Sequence, residues 1–186
     1  VWGSGASPWS WYFKETSQRY PHSYQVWRPQ FDQILLDNAK AEGVTVLEGH
    51  KVTEVIFDGD EAVGVEFTNG QGQSGDAQCR FVVDASGQST LLARHLESKQ
   101  WDPFFRNLAV YAYFTDVKPL PEPDQNNIFI ESYRYGWLWS IPLHTGRTSI
   151  GAVVDSAIGQ EGIQQNGAKA FLEAQLAQSD HTRVML

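Results

Sequence analysis

A mixed α/β (α+β) fold is predicted by three observations. A helix-period stretch begins at Pro29. Short β-type segments separated by turn residues run from His50 to Val83. Four further strand-like segments between Leu108 and Val154 lead into an amphipathic helix.

The elements follow in chain order. Residues 1–25 interleave Trp2, Trp9, Trp11, Tyr12 and Phe13 with Gly and Ser, which reads as irregular loop with short strands. A mostly apolar strand is expected over Tyr24–Trp27. Pro29–Glu42 is predicted helical because Phe31, Ile34, Leu35 and Ala39 fall on one stripe. Pro29 suits the first turn and Gly43 the residue past the end. Strands are expected over Val44–Leu47, His50–Phe57, Ala62–Phe67 and Gln78–Val83. Asp58-Gly59-Asp60 is a turn between two of them, so its carboxylates read as solvated rather than catalytic. Gly70, Gly72 and Gly75 fit G-x-G-x-x-G, but a dinucleotide fingerprint needs a helix after it. Another strand follows here, so Asn69–Gly75 reads as a hairpin loop.

Cys79-Arg80-Phe81-Val82-Val83-Asp84-Ala85-Ser86-Gly87-Gln88-Ser89 is an apolar strand ending in an acid and small residues, before a helix over Ser89–Leu96. Small residues let a ligand approach the backbone, and a helix start offers N–H groups to an anion. The plainer reading is a strand-to-helix turn capped by Ser89. Leu108–Val117, Asn127–Ser132, Gly136–Pro142 and Arg147–Val154 suit an antiparallel sheet, covered by a helix over Ile163–Gln178.

Composition narrows the function. The 186 residues carry 22 acidic and 14 basic side chains, a net charge of −8 that disfavours nucleic acid as partner. Cys79 is the only cysteine, so no intrachain disulfide forms and a reducing, cytoplasmic setting is expected. Five scattered histidines show no metal-ligand spacing, so no metal is assigned. No apolar run has the length of a membrane span. The chain starts at Val1, and its only methionine is Met185, which reads as an internal piece of a longer protein. Seven Trp, seven Tyr and ten Phe suit either a rich core or an aromatic-lined pocket.

The sharpest feature is Gly136-Trp137-Leu138-Trp139-Ser140-Ile141-Pro142. On a strand, Trp137 and Trp139 point to the same face and make a flat, rigid wall, whether in a core or beside a planar guest. Tyr111 and Tyr113 share a face in the same way. Arg28, which precedes the first helix and follows the strand-like Tyr24–Trp27, is either a surface cation or a phosphate or isoalloxazine contact.

The order Arg28-x-x-Phe31-Asp32, helix, Gly43-Val44, three strands and Val82-Val83-Asp84-Ala85-Ser86-Gly87 resembles the middle of FAD-dependent enzymes of the glutathione-reductase-like class. Trp137-x-Trp139-x-Ile141-Pro142 resembles the W-x-W-x-I-P signature of flavin-dependent halogenases. Val1-Trp2-Gly3 with Pro8-Trp9 is similar to the subgroup acting on phenols, pyrroles and carrier-tethered aromatics. The resemblance implies a partial FAD-binding domain plus an antiparallel β-sheet substrate domain. Residues 1–25 would be a substrate-side segment, 26–100 part of the FAD-binding domain with an inserted β-meander, and 101–186 the substrate domain. It also implies an activity. Reduced FAD from a separate flavin reductase, O2 and a halide ion give hypohalous acid, which chlorinates or brominates an electron-rich aromatic substrate, free or carrier-protein-tethered. By resemblance, Arg28, Val52, Asp84, Ala85, Ser86 and Gly87 lie near FAD. Trp137, Trp139, Ile141 and Pro142 shape the wall between flavin and substrate, and the catalytic lysine lies upstream of residue 1. Strand alternation alone suggests Tyr111 and Tyr113 on the substrate side. The family's glycine-rich pyrophosphate turn is absent from these residues, so the chain alone is expected neither to hold FAD tightly nor to halogenate. Two rivals stand beside this reading. One is an FAD-dependent hydroxylase or reductase of the same branch. The other is a carbohydrate-binding β-module using Trp2, Trp9 or Trp137 as an exposed platform.

Overall fold

The computed structural model describes residues 8–186; Val1, Trp2 and Gly3 of the opening motif lie outside the described residues. The chain divides into two compact units. One holds the residues up to Ile34 together with Asp102–Leu186, and the other holds Leu35–Trp101.

The larger unit is built on a four-stranded antiparallel sheet. Its strands are β4 (Asn107–Phe114), β5 (Phe129–Tyr133), β6 (Gly136–Pro142) and β7 (Thr148–Asp155), in the order β4-β7-β6-β5. Alternation divides the side chains between two faces. Val110, Leu138, Ile150, Ala152 and Val154 form the covered face. Phe171, Leu172 and Leu176 of helix α3 (Ser156–Leu176) close over them. Asp155 starts that helix by accepting from the Ala157 amide at 2.8 Å, an N-cap. The expected helix over Ile163–Gln178 therefore begins earlier, and it breaks at Gly167, whose φ of 80° is left-handed. A last short helix, α4 (Thr182–Met185), sits where the sequence pattern predicts nothing.

Glu131 ties this last helix down. It is 2% exposed, on the covered face of β5. Its Oε1 accepts from the amides of Asp180 (2.8 Å) and His181 (3.0 Å). Its Oε2 accepts from the Thr182 amide (2.8 Å) and hydroxyl (2.7 Å). Burial pushes the carboxyl up. The donors of Thr182, His181 and Asp180 outweigh that and hold it below its ordinary value.

The smaller unit holds the second half of helix α1 (Arg28–Ala41) and the meander β1 (His50–Asp58), β2 (Glu61–Asn69) and β3 (Ser74–Gln78), ordered β1-β2-β3. Gly59, with φ 61°, makes the turn expected after Asp58. The Asn69 side chain accepts from the Gln71 and Gln73 amides and shapes the hairpin read from the glycine run, although Gly75 itself already belongs to β3. Helix α2 (Leu91–His95) follows, with His95 stacked on Phe57 of β1 at 4.3 Å between ring centres.

Several strand expectations fail for one physical reason. Tyr24–Trp27, Val44–Leu47 and residues 79–83 carry strand-like patterns but form no ladder. The third meander strand occupies Ser74–Gln78 instead of Gln78–Val83. A strand exists only through a ladder of inter-strand hydrogen bonds, and among the described residues these segments make a single backbone bond to a strand, from the Cys79 amide to the Val63 carbonyl at 2.8 Å. Residues 8–25 contain a single 3-10 turn, Phe13–Glu15, and no strand.

Candidate functional site

The open face of the four-stranded sheet is aromatic. β6 carries Trp137 and Trp139 side by side, with ring centres 5.9 Å apart and planes tilted by 51°. Trp139 lies 6.1 Å from Tyr111 of β4, and Tyr111 meets Tyr113 edge-on at 5.9 Å. Tyr113 in turn meets Trp27 edge-on at 4.8 Å. The guanidinium of Arg147 sits over Trp27 at 5.9 Å. Five rings thus form a continuous row ending in a cation, each contact in the range where aromatic pairs attract.

The backbone makes room for this row at one residue. Gly151 of β7 lies between Tyr111 and Trp139 in register. A Cβ there would run into the Trp139 ring and stand 2.7 Å from the Tyr111 Cβ. The missing side chain lets the indole lie across the strand. Its Nε1 then reaches the Ser149 hydroxyl at 3.2 Å, which fixes the ring's rotation. Trp137, Tyr111 and Tyr113 remain 39%, 56% and 40% exposed, so the row is an open surface and not part of the core. Ile141 lies on the same open face of β6. Pro142 ends the strand opposite Thr148.

Same-face placement of Trp137 with Trp139, and of Tyr111 with Tyr113, follows directly from the period of a strand. Trp27, Gly151, Ser149 and Arg147 were not singled out in the sequence. A glycine inside an apolar strand is a signal for close approach and points to Gly151. Trp27 had no such signal, because its position depends on a non-local contact.

The smaller unit contains the acid-and-small-residue turn. Asp84 Oδ1 accepts from the Ser86 amide (2.9 Å) and Oδ2 from the Leu92 amide (2.8 Å). The Ser86 hydroxyl and amide, with the Leu92 amide, hold its carboxyl below the ordinary range. Asp84 and Ser86, rather than Ser89, thus supply the cap: Ser86 Oγ accepts from the Leu91 amide, and Thr90 at the N-cap is left-handed with no side-chain bond. The turn borders a concavity of about 310 Å³ with Thr90, Leu92 and Leu96. Gly87, with φ 63°, has nothing within 4 Å of where a Cβ would stand, and the buried Thr90 hydroxyl has no partner. A rigid turn, an open glycine and an unused hydroxyl leave the backbone here accessible, with a free polar group beside the concavity.

Val52 is on β1, 41% exposed and opposite Phe67, beside an irregularity in the pairing. Arg28 is exposed and forks onto Asp32 one turn along α1, with Nε to Oδ1 at 3.0 Å and Nη2 to Oδ2 at 3.0 Å. That contact raises its already high pKa. Among the described residues no cluster of His, Cys, Asp and Glu could hold a metal ion. No described helix is long and apolar enough to cross a membrane.

The chain is 34% identical over 164 residues to the tryptophan 2-halogenase of Chondromyces crocatus, covering 87% of this chain and 31% of that protein. Its fold matches the myxobacterial chondrochloren halogenase CndH, an FAD-dependent halogenase variant, with a TM-score of 0.87 and 38% identity over all of this chain and 42% of that one. It also matches the flavin-dependent halogenase CmlS with a TM-score of 0.89 and 34% identity, over all of this chain and 34% of that one. The chain therefore spans about a third of the length of the relatives it matches. The tryptophan halogenase family model matches residues 6–185, so this chain, with its paired indoles on an open sheet face, belongs to the family of flavin-dependent halogenases.

Proposed function

We propose that the chain is the wall-bearing portion of an FADH2-dependent halogenase that chlorinates or brominates an electron-rich aromatic substrate, free or tethered to a carrier protein. The observation that carries this reading is the row Trp137–Trp139–Tyr111, held flat by Gly151. Reduced FAD, when bound, supplies with O2 the oxidising power that turns halide into hypohalous acid; a separate cytoplasmic flavin reductase would provide it.

The chain's own residues contribute placement and exclusion. Trp137, Trp139, Ile141 and Pro142 form a stiff apolar barrier that a ring cannot cross and a small ion can pass around. Trp139 cannot swing aside without losing its bond to Ser149. Tyr111 and Tyr113 offer ring edges and faces to a planar substrate at contact distance. Residues 26–100 would belong to the FAD-binding domain and 101–186 to the substrate domain, with 1–25 on the substrate side. The backbone of Asp84, Ala85, Ser86 and Gly87 would meet the ADP portion of FAD, Val52 the adenine, and Arg28 the flavin or its phosphates. Asp84 works there by holding the turn, since both its oxygens already accept amides.

The test uses the whole protein of which these residues would form the wall-bearing portion, with a flavin reductase, NADH, FAD and a phenolic acceptor, and with chloride, bromide or neither. Products carrying the halogen isotope pattern only when halide is present support the reading. A hydroxylated product formed without halide points to the hydroxylase alternative. A companion titration concerns the 186 residues by themselves. They lack the glycine-rich pyrophosphate turn, so FAD is expected to bind more weakly than about micromolar. Stoichiometric sub-micromolar binding in a flavin-fluorescence titration overturns that expectation.

A further inference from the structure

β6 has a second face, and it borders a second concavity. Loop residues Lys118 and Gln125, Phe129 of β5, Ser140 of β6, and Leu143 and Arg147 of the β6–β7 hairpin help enclose about 250 Å³. All belong to the larger unit. Ser140 is 1% exposed, and its hydroxyl has no hydrogen-bond partner. The buried Gln125 Oε1 is likewise unpaired. Buried polar atoms nearly always have partners, so two orphans in the wall of one cavity need an explanation. Lys118 and Arg147 add two positive charges with no ion pair among the described residues, in a chain of net charge −8. Arg147 uses its flat face on Trp27, which leaves the in-plane N–H donors available.

The wall's chemistry selects a guest. Two cations and a hydroxyl suit a carboxylate. A lone carbonyl oxygen needs an O–H or N–H donor. Phe129 and Leu143 suit a short carbon body. The volume falls below the roughly 300–1,000 Å³ of sites for drug-sized ligands, so the guest is small. We propose that this cavity binds a small hydroxycarboxylic acid. Its carboxylate meets Lys118 and Arg147 and accepts from Ser140, while its hydroxyl donates to Gln125. Ser140 brings the cavity to the covered face of the motif strand, while Arg147, on the β6–β7 hairpin, borders both the cavity and the Trp27 end of the aromatic row; the inference does not rest on the halogenase reading.

Isothermal titration of the protein at fixed ionic strength tests it, with four probes: lactate, propionate, lactamide and chloride. Lactate is expected to bind one-to-one, with propionate weaker by about threefold or more for want of the hydroxyl, and lactamide and chloride weaker by about tenfold or more. The double variant Lys118→Gln, Arg147→Gln should cost lactate about tenfold, and Ser140→Ala about threefold. Circular dichroism confirms that each variant keeps its fold, and exposed Lys118→Gln alone serves if the double variant does not. Saturable lactate binding with that ranking supports the proposal. Three results overturn it: no saturable heat with lactate, the cavity then holding water alone; chloride binding as tightly as lactate; or variants that bind lactate as the parent does.

Discussion

A single methyl group at position 151 would occupy space that the Trp139 indole now fills. Gly151→Ala places its Cβ against that ring on one side and the Tyr111 Cβ on the other. Overpacking of this kind costs about 1–3 kcal/mol, and here it also displaces the indole from Ser149. The expected outcome is a lower midpoint in urea and a red-shifted, more readily quenched tryptophan emission. Unchanged emission would mean the row does not depend on this glycine. Glu131 supplies the other single-residue dependence. Its folded pKa lies below the unfolded value of 4.5, so the unfolded chain takes up the proton first as pH falls. The stabilisation is complete above about pH 4.5 and drains away as pH drops through the lower folded pKa. Glu131→Gln keeps the shape but not the charge. It should cost about 2–3 kcal/mol at neutral pH and flatten the acid limb of the stability curve below pH 4.5. An acid limb as steep as the parent's would remove the carboxylate from this role.

Elements were legible where their signals were local. Pro29 and Gly43 bracket α1 to within a residue of Arg28–Ala41, and the apolar alternation of Gly136–Pro142 coincides with β6. Apolar periodicity does not mark the start of α3; the signal there is a cap, Asp155 accepting from the Ala157 amide. Gly162 and Gly167 then shape the helix. Gly167 breaks it, and Gly162 leaves room for the Phe171 ring, which a Cβ would strike. The aromatic row was half legible. Strand alternation groups the rings of one strand, but which strands are neighbours is decided by the sheet order β4-β7-β6-β5, and local pattern carries no such information. The cap is open to a direct check. Asp155→Ala leaves the Ala157 amide unpaired and should cost about 1 kcal/mol, read as a shift of the thermal midpoint by a few degrees. An unchanged midpoint would mean the helix end is held by the sheet alone.

The fully covered apolar residues are unevenly shared across the whole molecule. Leu138, Ile150, Ala152, Val154, Phe171, Leu172 and Leu176 all lie in the larger unit, whereas Val55 is the only buried hydrophobic residue of Leu35–Trp101 among those described. In that smaller unit Phe81 and Val83 are 85% and 87% exposed, on the same segment whose strand pattern finds no ladder. Its meander is therefore held chiefly by backbone hydrogen bonds, which contribute little net free energy against water unless apolar burial accompanies them. A three-stranded sheet with so small a core opens locally at a low cost. The β6–β7 pair is different, since Leu138, Ile150 and Ala152 lie beneath α3 and expose almost nothing. Native-state hydrogen exchange should rank the two. Amides of Val63 and Val65 in β2 are expected to exchange at least about a hundredfold faster than those of Ile150 and Ala152, a gap of roughly 3 kcal/mol in opening free energy. Equal protection would mean that the meander draws its stability from something other than its own burial, and the division of labour between a firm aromatic wall and a soft meander would fall with it.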